Sequence, residues 1–261
     1  MTASSRPSPD AATLSAVLIT RNEEANLPGC LASLRGLVDE IVVLDSQSTD
    51  ETVAIARAAG ARVAKYRFEG YGAAKQQALE MATGTWVLSV DADERVTPAL
   101  AEEMRRVLKA IPSVNGFLVR RDVFFLGRRL RFGGMGSDWV LRLFRREGAR
   151  FSTVPVHERV EIRGRPGRLR ATLEHHAYRS LAEHVEKMNR YTDIQAVMKE
   201  EHGVRYRSWM LLRLPWEVFA RCVLRLGVLD GTPGILFATM SAYSAWLRYA
   251  KTWRPRAGAA P

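Results

Sequence analysis

The sequence predicts an α/β fold: a mostly parallel sheet with helices on both faces, followed by a helical C-terminal extension. Three observations carry this. Short apolar runs at 14–20, 40–44, 62–66 and 85–91 alternate with segments whose apolar residues recur every three or four positions. The runs carry consecutive apolar residues rather than alternating ones, the pattern of strands covered on both faces. Each strand–helix unit is long enough for a crossover to a parallel neighbour, and in such sheets ligands bind at the carboxyl ends of the strands.

The first strand, 14–20, stops at the polar turn Arg21-Asn22-Glu23-Glu24. Leu27, Cys30, Leu31 and Leu34 mark one face of a helix over 26–37. Pro28 is tolerated there because first-turn N–H groups have no intrahelical partner. The β-branched run 40–44 stops at Asp45, and Ser48-Thr49-Asp50-Glu51 caps a helix that Gly60 ends. A short strand at 62–66 precedes a helix over 71–82, closed by Thr83-Gly84. The next strand ends at Asp91, a helix with an early Pro98 covers 96–110, and a strand covers 116–125. Residues 126–176 are less regular, with Gly133-Gly134-Met135-Gly136, strands near 139–146 and 154–162, and short strands ending at His175-His176. Helical spacing returns over 181–202, 206–226 and 234–249. The expected organisation is a small, polar lead at 1–13 without the apolar core of a signal peptide, an α/β domain over 14–178, a helical region over 179–254 and a tail at 255–261.

With 261 residues, 47% hydrophobic and 26% charged, the chain buries a full core and is not globally disordered. Cys30 and Cys222 make neither a metal spacing nor a disulfide framework, which suits a reducing compartment. The net charge of +11 is segregated. Residues 1–110 carry 12 basic and 15 acidic groups (−3), 120–170 carry 14 and 5 (+9), 171–204 carry 4 and 6 (−2), and 205–256 carry 9 and 2 (+7). A basic surface of this kind favours phosphate-rich partners. No GxGxxG, GxxxxGK[ST] or Gly-x-Ser-x-Gly pattern occurs, which removes support for dinucleotide binding, P-loop hydrolysis and serine-hydrolase chemistry.

The acidic triplet Asp91-Ala92-Asp93 ends an apolar strand. Carboxylates at i and i+2 project from one face, where they can hold a divalent ion while its other positions go to water and a diphosphate. Leu18-Ile19-Thr20-Arg21-Asn22-Glu23-Glu24, then Val43-Leu44-Asp45-Ser46-Gln47-Ser48-Thr49-Asp50, then Asp91-Ala92-Asp93-Glu94 together resemble glycosyltransferase family 2, inverting metal-dependent enzymes of the Rossmann-like GT-A fold. The resemblance is close over the first half. It continues more loosely through Arg142-Leu143-Phe144-Arg145-Arg146 and Val156-His157-Glu158, where the pattern is similar to the subgroup with lipopolysaccharide-core and other envelope-glycan glucosyltransferases.

The resemblance implies a nucleotide-sugar donor, a UDP-hexose, with Mg²⁺ or Mn²⁺ and a lipopolysaccharide-core or lipid-linked glycan acceptor. It implies that Asp45 hydrogen-bonds the base and that Thr20, Arg21 and Glu23 wall the nucleotide pocket. Asp91 would lie near ribose and metal, Asp93 would ligate the metal, and Lys75 would sit near the donor. Asp45 could instead cap the turn into the next helix, and Lys75 could belong to a solvated helix face. The acceptor hydroxyl needs a base. Asp138 matches that position best, although Ser137-Asp138 stands where many relatives have Glu-Asp, and Glu158 competes for the role. His157 is either a late metal ligand, since a neutral imidazole suits Mn²⁺, or a satisfied strand-end histidine. His175 and His176 are read as structural, because only one of two adjacent strand residues can face a site.

In 206–226 the charges Arg213, Glu217, Arg221 and Arg225 form one polar stripe, with Trp209, Met210, Leu212, Trp216, Phe219, Val223 and Leu226 around it. That suits a helix lying in the interface of an anionic membrane, the alternative being a core helix. The 17 uncharged residues of 231–247 are at the short limit for crossing ~30 Å of hydrocarbon, so peripheral attachment at the cytoplasmic face is expected. Two other readings are a polyprenyl-phosphate sugar transferase, which would need no base, and a nucleic-acid-binding module. The second lacks RNA-recognition signatures and leaves the acidic crevice unexplained, so no nucleic-acid partner is expected.

Overall fold

The computed structural model describes residues 12–110, 112–135, 138–152 and 159–254. The chain divides into two compact units: residues up to Arg121 with Asp138–His175, and Asp122–Ser137 with residues from His176 onward.

The first unit starts with β1 (Leu14–Thr20), α1 (Leu27–Leu34), β2 (Glu40–Asp45), α2 (Thr52–Ala58), β3 (Arg62–Lys65), α3 (Tyr71–Met81) and β4 (Trp86–Ser89). It continues with β5 (Glu94–Val96), α4 (Pro98–Lys109) and β6 (Gly116–Phe125), whose last residues enter the second unit, as does β7 (Arg128–Arg129). Then come β8 (Trp139–Arg145), β9 (Arg150–Phe151), β10 (Val160–Glu161) and β11 (Gly167–Tyr178). The main sheet runs β3-β2-β1-β4-β8-β6-β11-β5, with β7 on β6, and β9 pairs β10 separately. Pairings β1–β2, β2–β3 and β1–β4 are parallel, whereas β8 is antiparallel to both β4 and β6, and β5 to β11.

The expected mostly parallel sheet is therefore corrected to a mixed one. Among the described residues no α-helix lies between β6 and β8, and these neighbours pair antiparallel without the long crossover that a parallel pair requires. Helices on both faces are observed. Leu14, Ala16 and Leu18 of β1 share one core with Leu27, Leu31 and Leu34 of α1 and Leu100 and Met104 of α4. Val17, Val42 and Val87 share the other with Ala74, Ala78 and Leu79 of α3. Adjacent strand residues point to opposite faces, so each buried run serves both cores.

Local differences have local causes. The strand expected to reach Asp91 stops at Ser89, because residues 91–94 form a turn in which Glu94 N–H donates to Asp91 O (2.9 Å) and Asp91 N–H to Glu94 Oε2 (3.0 Å). The next helix starts at Pro98, not residue 96. Val96 belongs to β5, and extended Thr97 caps α4 by accepting from Leu100 N–H (3.2 Å). Of the strand expected at 154–162, Val160–Glu161 is described as strand and 153–158 lie outside the described residues. The short strands before His176 are one 12-residue strand, β11.

The second unit contains α5 (Leu181–Glu201), α6 (Arg213–Phe219) and α7 (Gly231–Ala250). The single helix expected over 206–226 is broken into a 3₁₀ turn (Ser208–Leu212), α6, a π-helical turn (Ala220–Leu224) and, after Leu226, a second 3₁₀ turn (Gly227–Asp230). Pro215 lacks an N–H and fits only the first turn of a helix, which places the start of α6. Leu226 is left-handed (φ 58°), and a Cβ on Gly227 would lie 2.6 Å from Arg221 O, so a regular helix cannot continue. The segments Ser208–Leu224 and Gly227–Ala250 are bent by 72°, and no single described helix is long and apolar enough to cross a membrane. Asp230 accepts from the N–H groups of Arg131 and Phe132 (3.0 and 2.9 Å), which ties the 122–137 segment to the helices.

Candidate active site

Three strand ends build the site. At the ends of β1 and β2, Thr20 lies opposite Asp45 in register, and its hydroxyl donates to Asp45 Oδ1 (3.0 Å). Asp45 also accepts from Ser48 Oγ (2.5 Å) and Ser48 N–H (2.9 Å), and it is buried. These bonds organise the turn that leads into α2. Asn22, left-handed at φ 54°, accepts from Thr49 N–H (2.8 Å), and its own N–H donates to Ser48 Oγ (2.9 Å). Glu23 N–H donates to Thr52 Oγ1 (2.7 Å) and its carboxylate accepts from Asn26 Nδ2 (2.9 Å), while Arg21 is exposed. Residues 20–24 and 45–52 are thus laced into one preformed wall.

At the end of β4 the charges form a network. Asp91 Oδ1 lies 3.1 Å from Lys75 Nζ, and Asp91 Oδ2 2.5 Å from an Arg142 nitrogen that is also 2.5 Å from Glu94 Oε1. Glu94 Oε1 is 3.2 Å from Arg121, which grips Asp138 through Nε (2.8 Å) and a terminal nitrogen (2.5 Å). Glu94, Lys75 and Arg142 are buried, so a solvated helix face for Lys75 is ruled out. Three cations face three carboxylates. Removing Glu94, Lys75 or Arg142 would strand a buried charge, at a cost on the order of 3–5 kcal/mol. Burial pushes the Asp91 carboxyl up, but Arg142 and Lys75 outweigh it and hold the group well below the ordinary carboxylate range. Burial likewise opposes charge on Arg142, and Asp91 and Glu94 overcome it and raise its pKa. Asp91 is thereby engaged by cations on both oxygens rather than offered outright to a metal.

The second acid of the triplet points elsewhere. Asp93 Oδ2 lies 3.4 Å from His175 Nε2, and His175 Nδ1 is buried without a hydrogen-bond partner among the described residues. β11 places His175 opposite Glu94 of β5, while the adjacent His176 stacks on Phe124 at 4.7 Å. A carboxylate oxygen meeting an imidazole nitrogen at a strand end is a donor pair that fits Mn²⁺, the carboxylate alone being the kind of ligand Mg²⁺ takes. The described residues bring no third His, Cys, Asp or Glu to such a site, and His157 and Glu158 lie outside them. Beneath the turn, Cys30 Sγ donates to Asp91 O (3.6 Å), and burial pushes its thiol up, so it packs as a neutral group.

Reading the sequence missed four members of this cluster. Charge and motif alone do not place Arg121, Arg142 and Glu94 here, and the sequence reads His175 as structural. The available signal was strand alternation, which makes one member of the His175-His176 pair face the site.

The model describing glycosyl transferase family 2 matches residues 15–162. The chain belongs to glycosyltransferase family 2. This glycosyltransferase is 32% identical over 258 residues to the lipopolysaccharide core biosynthesis glycosyltransferase LpsC of Rhizobium meliloti, covering 93% of this chain and 95% of LpsC. It is 27% identical over 250 residues to an uncharacterized glycosyltransferase of Rickettsia felis, covering 91% and 88%. Among solved structures, glucosyl-3-phosphoglycerate synthase from Mycobacterium tuberculosis, in complex with Mg²⁺ and uridine diphosphate, is 33% identical with a TM-score of 0.36, over 43% of this chain and 44% of that one. The family match ends before α5, whereas the likeness to LpsC spans nearly the whole chain.

Proposed function

We propose that this glycosyltransferase is an inverting, metal-dependent hexosyltransferase, moving a sugar from a UDP-linked donor to a lipopolysaccharide-core or lipid-linked glycan at the cytoplasmic face of a membrane. The observation that carries the reading is the meeting of Asp93 with His175 beside the Lys75–Asp91–Arg142 cluster at the strand ends. Departure of a nucleoside diphosphate builds negative charge on its phosphates. A divalent ion held by Asp93 and His175 would neutralise that charge as a Lewis acid. Lys75 and Arg142 fix the turn that presents Asp93. Asp138, gripped by two nitrogens of Arg121, is the oriented carboxylate that takes the acceptor hydroxyl's proton. The acceptor class is supported by the length-spanning likeness to LpsC.

The membrane part rests on an inverted helix. Arg213 stacks over the Tyr249 ring of α7 at 4.9 Å, and Arg221 lies 3.4 Å from Glu217. Two arginines of the expected outward stripe are thus spent inside the unit. The apolar side faces out instead: Trp209, Leu212, Trp216, Phe219, Val223 and Leu226 are all exposed, Leu212 by 70%. Exposed Arg205, Arg207 and Arg225 accompany them and suit anionic headgroups, each worth about 1 kcal/mol near the surface. Replacing Trp209, Trp216 and Phe219 together by Ser is expected to release the protein from anionic vesicles in a flotation assay with little change in melting temperature. A triple variant that still floats removes the bilayer as occupant of this face. In the same preparations, labelled sugar passing from UDP-glucose to a core oligosaccharide supports the acceptor reading, and label passing only to a polyprenyl phosphate overturns it.

A further inference from the structure

The second unit contains a cavity of about 230 Å³ that plays no part in the chemistry above. Its lining comes from one face of α5, where His184 and Gln195 lie at helical spacing, one face of α7, where Ser241, Ser244 and Arg248 do, and from Arg221 in the π-helical turn. Single π turns inside helices occur often at functional sites. The remaining wall is apolar or aromatic, and among the described residues no acid lines the space.

Two features are costly unless something fills it. His184 is 5% exposed, yet neither ring nitrogen has a hydrogen-bond partner among the described residues. Its ring is met edge-on by Tyr178 at 4.0 Å and Phe125 at 5.5 Å and lies tilted against Phe237 at 6.2 Å, contacts that fix the plane and satisfy neither nitrogen. Arg221 Nε is likewise buried without a hydrogen bond, its 3.4 Å approach to Glu217 being an ion pair without bonding geometry. Buried polar groups are almost always bonded, and a buried imidazole beside two guanidinium groups calls for an acceptor-rich partner.

We propose that this cavity is a binding site for a phosphoryl group. Guanidinium forks match phosphate oxygens two at a time, and hydroxyl, amide and imidazole donors complete such a shell. Ser241, Ser244, Gln195 and His184 supply those donors. Liquid water occupies about 30 Å³ per molecule, so the volume holds a phosphoryl group with part of whatever carries it. The carrier is a phosphorylated lipid headgroup or a free phosphate, and both present the same oxyanion to the same residues.

The test uses the full chain and binding alone, so it stands whether or not the donor is a UDP-sugar. Calorimetric titration with inorganic phosphate, at ionic strength held constant with chloride, is run beside flotation on phosphatidylcholine vesicles with and without phosphatidic acid. Wild-type protein is expected to bind at least one probe, with affinity falling about tenfold or more in His184→Gln and in Arg248→Gln. His184→Gln removes no formal charge, so its loss distinguishes a built site from general electrostatic attraction. Should that variant fail to fold, Arg248→Gln and Ser244→Ala carry the comparison. Binding of inorganic phosphate identifies a free phosphoryl ligand, and binding of phosphatidic acid vesicles alone identifies a lipid headgroup. The proposal is overturned if wild type binds neither probe below about 10 mM, or if the variants bind as tightly as wild type.

Discussion

Asp93→Asn is expected to abolish measurable sugar transfer, a loss of about 10²–10³-fold or more, while the protein melts as wild type does. Asn keeps the shape and the hydrogen-bonding reach of Asp, so it still fits beside His175, 3.4 Å away. What it lacks is the anionic oxygen that a hard divalent cation requires. His175→Gln removes the partner without removing a formal carboxylate, and its loss is expected to be smaller, with KM for the donor rising more than kcat falls. The check is a transfer assay with and without added Mn²⁺, beside a melting curve for each variant. Near-wild-type transfer by Asp93→Asn in the presence of a chelator would remove the metal from Asp93.

Asp138→Asn is expected to lower kcat by about 10²–10⁴-fold, the usual worth of a general base, with little change in donor affinity. The substitution leaves Arg121 its contact with Glu94 at 3.2 Å. Asp138 is itself 37% exposed at the side chain, so the stability cost should be small. Glu158→Gln is the comparison. A milder effect there assigns the base to Asp138, and the reverse ranking assigns it to Glu158. Two mild variants would favour a phosphate acceptor, which needs no proton removed and thus fits a polyprenyl-phosphate transferase.

How much was legible in the sequence follows from where the forces are local. Strands β1, β2 and β4 could be read from apolar runs bounded by polar turns, and β3, with only Val63 and Ala64 between Arg62 and Lys65, from its place between two helices; helical crossovers leave parallel pairing as the available arrangement. The antiparallel half could not, since the pairing of β8 with β4 and β6 depends on contacts far apart in sequence. The acids at 45, 91 and 93 were visible from position, but the contacts around them were not. Asp45 proves to be bound into its own turn, and Asp91 is claimed by Lys75 and Arg142 from 16 and 51 residues away. The segment 206–226 shows the limit most plainly. A four-residue charge repeat has the same period whether the stripe faces solvent or faces a neighbouring helix, so only the packing of Arg213 on Tyr249 decides which way it turns. Pro215 and Gly227 are the sequence marks of the break.

The proposed role of Asp93 and His175 in metal-dependent use of a nucleotide sugar is tested most directly by measuring the stabilisation that UDP-glucose confers with and without Mn²⁺. A ligand bound only to the folded state stabilises it by about 2.7 kcal/mol at 100 times Kd. The expected result is a concentration-dependent rise in melting temperature that requires both UDP-glucose and Mn²⁺ in wild type and is lost in Asp93→Asn. An equal rise without metal, or an undiminished metal-dependent rise in Asp93→Asn, would contradict it.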